Sequence, residues 1–118
     1  MQQAPEFIYK VVTNEALSEV AEGNSFIGMP VDLDDGYIHF STAEQLAETL
    51  RRHFAGQSDL RLLAVKTSTV AQVLRWEPSR GGALFPHLYG PLPLSAVVWS
   101  EEISVSKDGN VDLPEAVQ

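Results

Sequence analysis

Residues 7–12 (FIYKVV) concentrate β-branched and aromatic side chains and predict a first strand. Asn14 is placed to cap a short helix with Leu17, Val20 and Ala21 on one face, and Gly23 suits its C-terminus. Residues 24–35 read as a connection through Gly28 and Pro30, ending in a solvated acidic run of Asp32, Asp34 and Asp35. Tyr37, His39 and Ser41 then alternate with Ile38 and Phe40. This period of two sends Ile38 and Phe40 to the core and turns Tyr37 and His39 to the opposite face. Ser41 and Thr42 each have an acid or amide three residues on, Glu44 and Gln45, so a capping box starts a helix here to within a residue. Its apolar stripe is Ala43, Leu46, Ala47, Leu50 and Phe54, the pattern of a helix packed on a sheet. Arg51, Arg52 and His53 fall in the last turn, where positive charge suits the helix dipole, which is a sufficient structural reason for His53.

The second half is strand-rich. Residues 60–66 (LRLLAVK) predict a buried strand, followed by a polar connection or single turn over 67–72. Residues 73–77 alternate, with Leu74 and Trp76 on one face and Val73, Arg75 and Glu77 on the other, until Pro78 closes the run. Residues 79–94 are dense in Gly and Pro. Proline cannot donate to a sheet ladder, so this segment reads as a shaped loop or an edge rather than a central strand. Residues 96–105 predict the next strand or pair of strands, and Asp108, Gly109 and Asn110 a hairpin turn into a short last strand at 111–113. The expected class is α+β, with about six strands in a small mixed or antiparallel sheet and two main helices, forming a single domain over 1–118.

Composition narrows the function classes. The absence of cysteine excludes disulfides, thiolate metal sites and a cysteine nucleophile. No apolar run approaches the roughly 20 residues of a membrane span, and the first residues lack the pattern of a signal peptide. The expectation is a monomeric cytoplasmic protein with no membrane partner. The formal net charge is −8, and among the basic residues only Arg51 and Arg52 are adjacent. DNA and long RNA need a basic footprint that this chain lacks, whereas a small anionic ligand is compatible with a locally positive pocket.

Two stretches carry candidate chemistry. In GYIHFSTAEQ, His39 ends a strand beside the Ser41 and Thr42 hydroxyls at a helix N-terminus, a place to hold a polar or anionic ligand. The plainer alternative is a partly buried histidine and an ordinary cap. In FPHLYGPL, Pro86, Gly90 and Pro91 stiffen the backbone around His87 and Tyr89, which share a face if the segment is extended. The plainer alternative there is a rigid loop whose aromatic rings cover the core edge. His39, His87 and Glu77 together could also offer three ligands to a metal, but nothing in their spacing demands one, and no metal site is assigned.

DGYIHFSTAEQ, then EPSRGGALFPHLYGPL, then a closing D-G-x-V-x-L-P at 108–114 resemble the small, mostly bacterial family called domain of unknown function 952. The likeness runs over nearly the whole chain. Leu17 and Phe26 stand where relatives often carry Trp and Tyr, both apolar exchanges. The resemblance implies a fold related to the ADP-ribosyltransferases, among them the RNA 2′-phosphotransferases, and no assigned reaction. The phosphotransferase activity is disfavoured by the short, acidic chain, which lacks a basic groove. The superfamily implies His39 at the ribose of NAD, Tyr89 stacked on its nicotinamide, and Glu77 assisting transfer, with His87 the further catalytic candidate. Tyr37, Ser41, Thr42 and Arg80 are expected at the ligand, Arg80 with Gly81 and Gly82 near the pyrophosphate. NAD enters as substrate, and no further cofactor is called for. The alternative is a non-catalytic module on the same fold, binding a small metabolite or a protein. Because His39 and Glu77 point away from the apolar faces of their strands, neither is expected to hold the core together.

Overall fold

The computed structural model describes residues 5–20 and 24–117, apart from the side chain of Arg80. The expected end of the first helix at Ala21 and Gly23 lies outside the described residues. In chain order the elements are β1 (Phe7–Thr13), α1 (Asn14–Ser18), β2 (Ser25–Phe26), α2 (Pro30–Asp35), β3 (Ile38–His39), α3 (Ala43–His53), β4 (Leu60–Lys66), β5 (Leu74–Pro78), β6 (Leu84–Leu88), β7 (Leu92–Pro93) and β8 (Val97–Ile103). They form an α+β fold with three antiparallel sheets, ordered β1-β4-β8, β3-β6-β5 and β2-β7. The eight strands among the described residues exceed the six expected, because β2 and β7 are two-residue strands too short to show a period and β6 runs through a proline.

β4 is the middle strand of the first sheet and is covered on both faces, which is why its sequence is a nearly unbroken apolar run. One face of β1 and β4 (Ile8, Val12, Leu63, Val65) packs against Phe26, Ile38, Phe40 and Leu88. The other (Tyr9, Val11, Leu60, Leu62, Ala64) packs beneath α3 on Leu46 and Leu50. The main chains of Tyr9 and Ser41 exchange hydrogen bonds of 2.8 and 2.9 Å, which tie β1 to the end of β3 and set the two sheets edge to edge.

α3 begins where its capping box requires, with Gln45 N–H donating to Thr42 Oγ1 and Thr42 N–H to Gln45 Oε1. Leu46 and Leu50 are fully buried, Phe54 is half-buried, and Ala47 faces solvent, so the buried stripe is narrower than the sequence pattern. α1 is capped by Thr13, whose hydroxyl accepts from Ala16 N–H at 3.0 Å, and the Asn14 amide reaches Asp59 instead. Residues 24–35 are not a plain connection, since they contain β2 and α2. The turn at 108–110 forms, but residues 111–113 do not form a strand. Val111 and Leu113 pack under α3's cluster instead.

The largest departure is β6, which runs through Pro86 in the middle of its sheet. A strand residue's N–H and C=O point to the same side, and Pro86 O accepts from Phe40 N–H at 2.9 Å. The missing donor of Pro86 therefore points towards Phe40, just past the end of β3, where the ladder keeps only the half-rung from Phe40 N–H to Pro86 O. A proline is tolerated because the donor it lacks falls at the end of the short β3 ladder.

Replacing Leu50 with alanine should cost about 2–5 kcal/mol in denaturant unfolding, the worth of a buried leucine whose site cannot collapse. A loss below about 0.5 kcal/mol, typical of surface changes, would place this face of α3 in solvent.

Candidate functional site

Strand register builds the site. His39 lies opposite His87, His87 opposite Arg75, and Phe85 opposite Glu77. Alternation puts Tyr37, His39, His87, Tyr89, Arg75 and Glu77 on one face of the β3-β6-β5 sheet, while Ile38, Leu88, Leu74 and Trp76 face the core. The His39 and His87 rings are 5.4 Å apart edge to face. Tyr37 lies 4.6 Å from His39, 4.2 Å from His87 and 5.2 Å from Tyr89. The Arg75 guanidinium carbon sits 5.2 Å from the Tyr89 ring centre. A hydrogen bond of 2.7 Å from Tyr89 N–H to Val73 O anchors that end of the row.

His87 is buried and held by Glu77. Its Nδ1 is 2.8 Å from Glu77 Oε1, and the Tyr89 hydroxyl donates to the same oxygen at 2.7 Å. Hydrogen bonds from His87 and then Tyr89 hold the Glu77 carboxyl below the usual carboxylate range. The same bond to Glu77, with burial behind it, raises the Tyr89 phenol, while burial and then the charges of Asp35 and Glu77 raise Tyr37. A carboxylate only accepts, so Nδ1 of His87 carries the hydrogen, and in the neutral ring Nε2 is the lone-pair nitrogen.

His39 is held from the other side by α2. Asp32 Oδ1 accepts from His39 Nδ1 at 2.6 Å and from His39 N–H at 3.0 Å. Asp32 Oδ2 accepts from Met29 N–H at 2.6 Å, while Lys10 Nζ donates to Oδ1 at 3.1 Å and forms an ion pair 2.8 Å from Oδ2. Asp32 and Lys10 are both buried. Burial opposes ionisation of Asp32, but the His39 hydrogen bond and the Lys10 charge outweigh it, and the pKa falls to about 2. Burial lowers the Lys10 pKa, against the pull of Asp32. Gly28 is required beside this cluster, because it adopts φ 128° and a Cβ there would lie 2.7 Å from the Asp32 Cβ. Asp35, the last residue of α2, places Oδ2 2.9 Å from His39 Nε2, so both ring nitrogens face carboxylates.

The acidic run is therefore no solvated loop. Asp32 is the hub of the site, and the sequence reading missed both it and Lys10. The available signal was Lys10 itself, a cation on the core-facing period of FIYKVV that demands a buried partner. The expectation that His39 is free of structural duty is also overturned, since its ring and N–H supply two of the donors on buried Asp32.

A cavity of about 370 Å³ opens beside the two histidines, between residues 29–31, Lys10, Ser41, Thr49, His53 and Phe85. Ser41 lines it and is hydrogen-bonded to Thr49 at 3.0 Å, whereas the Thr42 hydroxyl is committed to the α3 cap. Gly81 and Gly82 form a left-handed turn, and the Arg80 side chain lies outside the described residues. His53, left to the helix dipole in the sequence reading, lines the cavity. Among the described residues, no group of three or more His, Asp or Glu side chains is arranged to hold a metal ion.

Asp32 titrates below an unfolded carboxylate's value of about 3.9, so its charge stabilises the fold above that pH and the contribution is lost as pH falls through about 2. Asp32→Asn should remove on the order of 2 kcal/mol from the acid-side fall in stability measured by denaturant unfolding between about pH 5 and pH 2. At neutral pH it should cost about 3–5 kcal/mol, because Lys10 is left buried without a counter-charge. His39→Ala should cost about 1–3 kcal/mol in the same assay. An Asn variant with the parent's stability and pH profile would contradict this account of the cluster.

The chain is 43% identical to protein CC0527 from Caulobacter crescentus, over 90% of this chain and 93% of that one, and that protein's X-ray crystal structure matches with a TM-score of 0.83. The solution NMR structure of CC0527 gives 44% identity, 91% coverage of both chains and a TM-score of 0.77. A comparison with curated proteins finds no match. The family model described as "Protein of unknown function (DUF952)" matches residues 11–100, a span that contains both histidine motifs, and the chain belongs to that family.

Proposed function

We propose that the face formed by Tyr37, His39, His87 and Tyr89 binds a nucleotide-like metabolite, and that the protein is an ADP-ribosyltransferase-like enzyme that opens a glycosidic bond at ribose, with NAD the first candidate. The observation that carries this reading is the opposed pair of histidines 5.4 Å apart, one of them held through Nδ1 by Glu77. Kinship with the ADP-ribosyltransferases rests on the motif resemblance alone.

A histidine fixed by a carboxylate on one nitrogen offers the other as a base. In the proposed step the C1′–N bond breaks and its electron pair leaves with nicotinamide. The ribose passes through an oxocarbenium-like state, and water or an acceptor hydroxyl forms the new C1′–O bond. His87 Nε2 takes the proton released by that hydroxyl. Glu77 supports the resulting imidazolium and lends negative charge to the site, so it acts through His87. Tyr37 shares the stacking role expected of Tyr89, as the ring that touches both histidines. A non-catalytic binding module is the second reading, favoured by that same packing of Tyr37 over the pair, in which the rings serve as mutual scaffold.

Ligand-observed NMR with NAD, ADP-ribose and nucleoside phosphates tests the reading, followed by an assay of nicotinamide release. Binding of a member of this set is expected. Glu77→Gln should lower turnover about 100-fold or more while leaving binding within a few-fold. Binding with no turnover would favour the module, and a screen without any bound nucleotide would refute the proposal.

A further inference from the structure

We infer that Asp35 is an internal stand-in for the ligand: in the free protein its carboxylate occupies, on His39 Nε2, the seat of an anionic ligand oxygen belonging to a phosphate or a carboxylate. This rests on the reading of the histidine face as a ligand site.

The two carboxylates on His39 come from one short helix and are not equivalent. The Asp32 side chain has no exposed surface and accepts from Lys10, Met29 and His39 together, so it cannot leave without stranding the buried Lys10. The Asp35 side chain is 45% exposed and reaches His39 from the last residue of α2. An ion pair so open to water holds weakly. The next residue, Gly36, turns at φ 87° and leaves the chain corner open, with no atom beyond its chain neighbours within 4 Å of where a Cβ would stand, and the half-exposed Asp35 side chain borders solvent there.

Charge then decides what replaces it. Lys10 and Asp32 neutralise each other, and Tyr37, His87, Tyr89, Arg75 and Glu77 are the other titratable groups on this face, Arg75 lying over Tyr89 and Glu77 bonded to His87 and Tyr89. A carboxylate only accepts, so Nε2 donates to Asp35, and an incoming anionic oxygen takes over that hydrogen bond as Asp35 leaves. The chain carries a formal charge of −8, so an additional anion is repelled overall, but an exchange of one anion for another leaves the local balance unchanged. In a nucleotide ligand the incoming oxygen belongs to a phosphate.

The test compares the parent with Asp35→Ala and with Asp34→Ala, which removes the same charge from an exposed neighbouring position. Asp35→Ser serves if the alanine variant does not fold. Inorganic phosphate and, separately, acetate are titrated at constant ionic strength while the His39 ring signals are followed by NMR. At least one anion should bind the Asp35 variant about tenfold or more tightly than the parent, with Asp34→Ala behaving as the parent. A response to phosphate alone assigns the seat to phosphate, and a response to acetate assigns it to carboxylates. A His39 ring that ignores both anions in the Asp35 variant, or that responds equally in Asp34→Ala, overturns the inference. Nucleotides that fail to bind while phosphate still finds His39 in the Asp35 variant would remove the proposed reaction and leave the seat standing.

Discussion

The buried pair of Lys10 and Asp32 is the constraint on which the rest depends. Taking two charges out of water is costly, and their attraction offsets that cost only with good geometry and further hydrogen bonds. Those bonds come from Met29 N–H and from the ring and main chain of His39. One carboxylate therefore joins β1, α2 and β3. The group that satisfies the buried Lys10 cation also sets where His39 sits. Stability and site geometry are the same set of contacts here.

The two histidines are held in different ways. His87 sits in the middle strand of its sheet, between ladders on both sides, and its carboxylate comes from the adjoining strand β5. Its position is as rigid as the sheet. His39 ends a two-residue strand and takes its partners from a six-residue helix. Its inner partner is locked by burial and its outer one is half in water. A site with one fixed ring and one ring whose outer partner can exchange suits a ligand that must be admitted and then held.

The two sheets owe their relation to the Tyr9–Ser41 exchange of hydrogen bonds. It brings α3 and its N-terminal residues to the edge of the histidine face, so the cavity is bounded by both sheets and by the helix. Ser41 is thus a joint between sheets as well as a lining residue, and its buried hydroxyl is satisfied by Thr49.

What the chain determines locally was legible in it. The start of α3 needs only Thr42 and Gln45 three residues apart, and the faces of β3 and β5 follow from a period of two that any strand imposes. Those local rules were enough to turn Tyr37, His39, Arg75 and Glu77 away from the core. What local rules do not contain is which strand lies beside which. Pro86 was assigned to a shaped loop or an edge because a proline costs a rung, and only the pairing shows that the lost donor falls at the end of the β3 ladder, where Phe40 N–H still bonds to Pro86 O. Asp32 was assigned to solvent because acidic runs are usually solvated, and only the tertiary structure sets it against Lys10, 22 residues away in sequence. The opposition of His39 and His87 is decided the same way. Each strand fixes the direction in which its histidine points, but the register between two strands 48 positions apart is set by packing of the shared core beneath them.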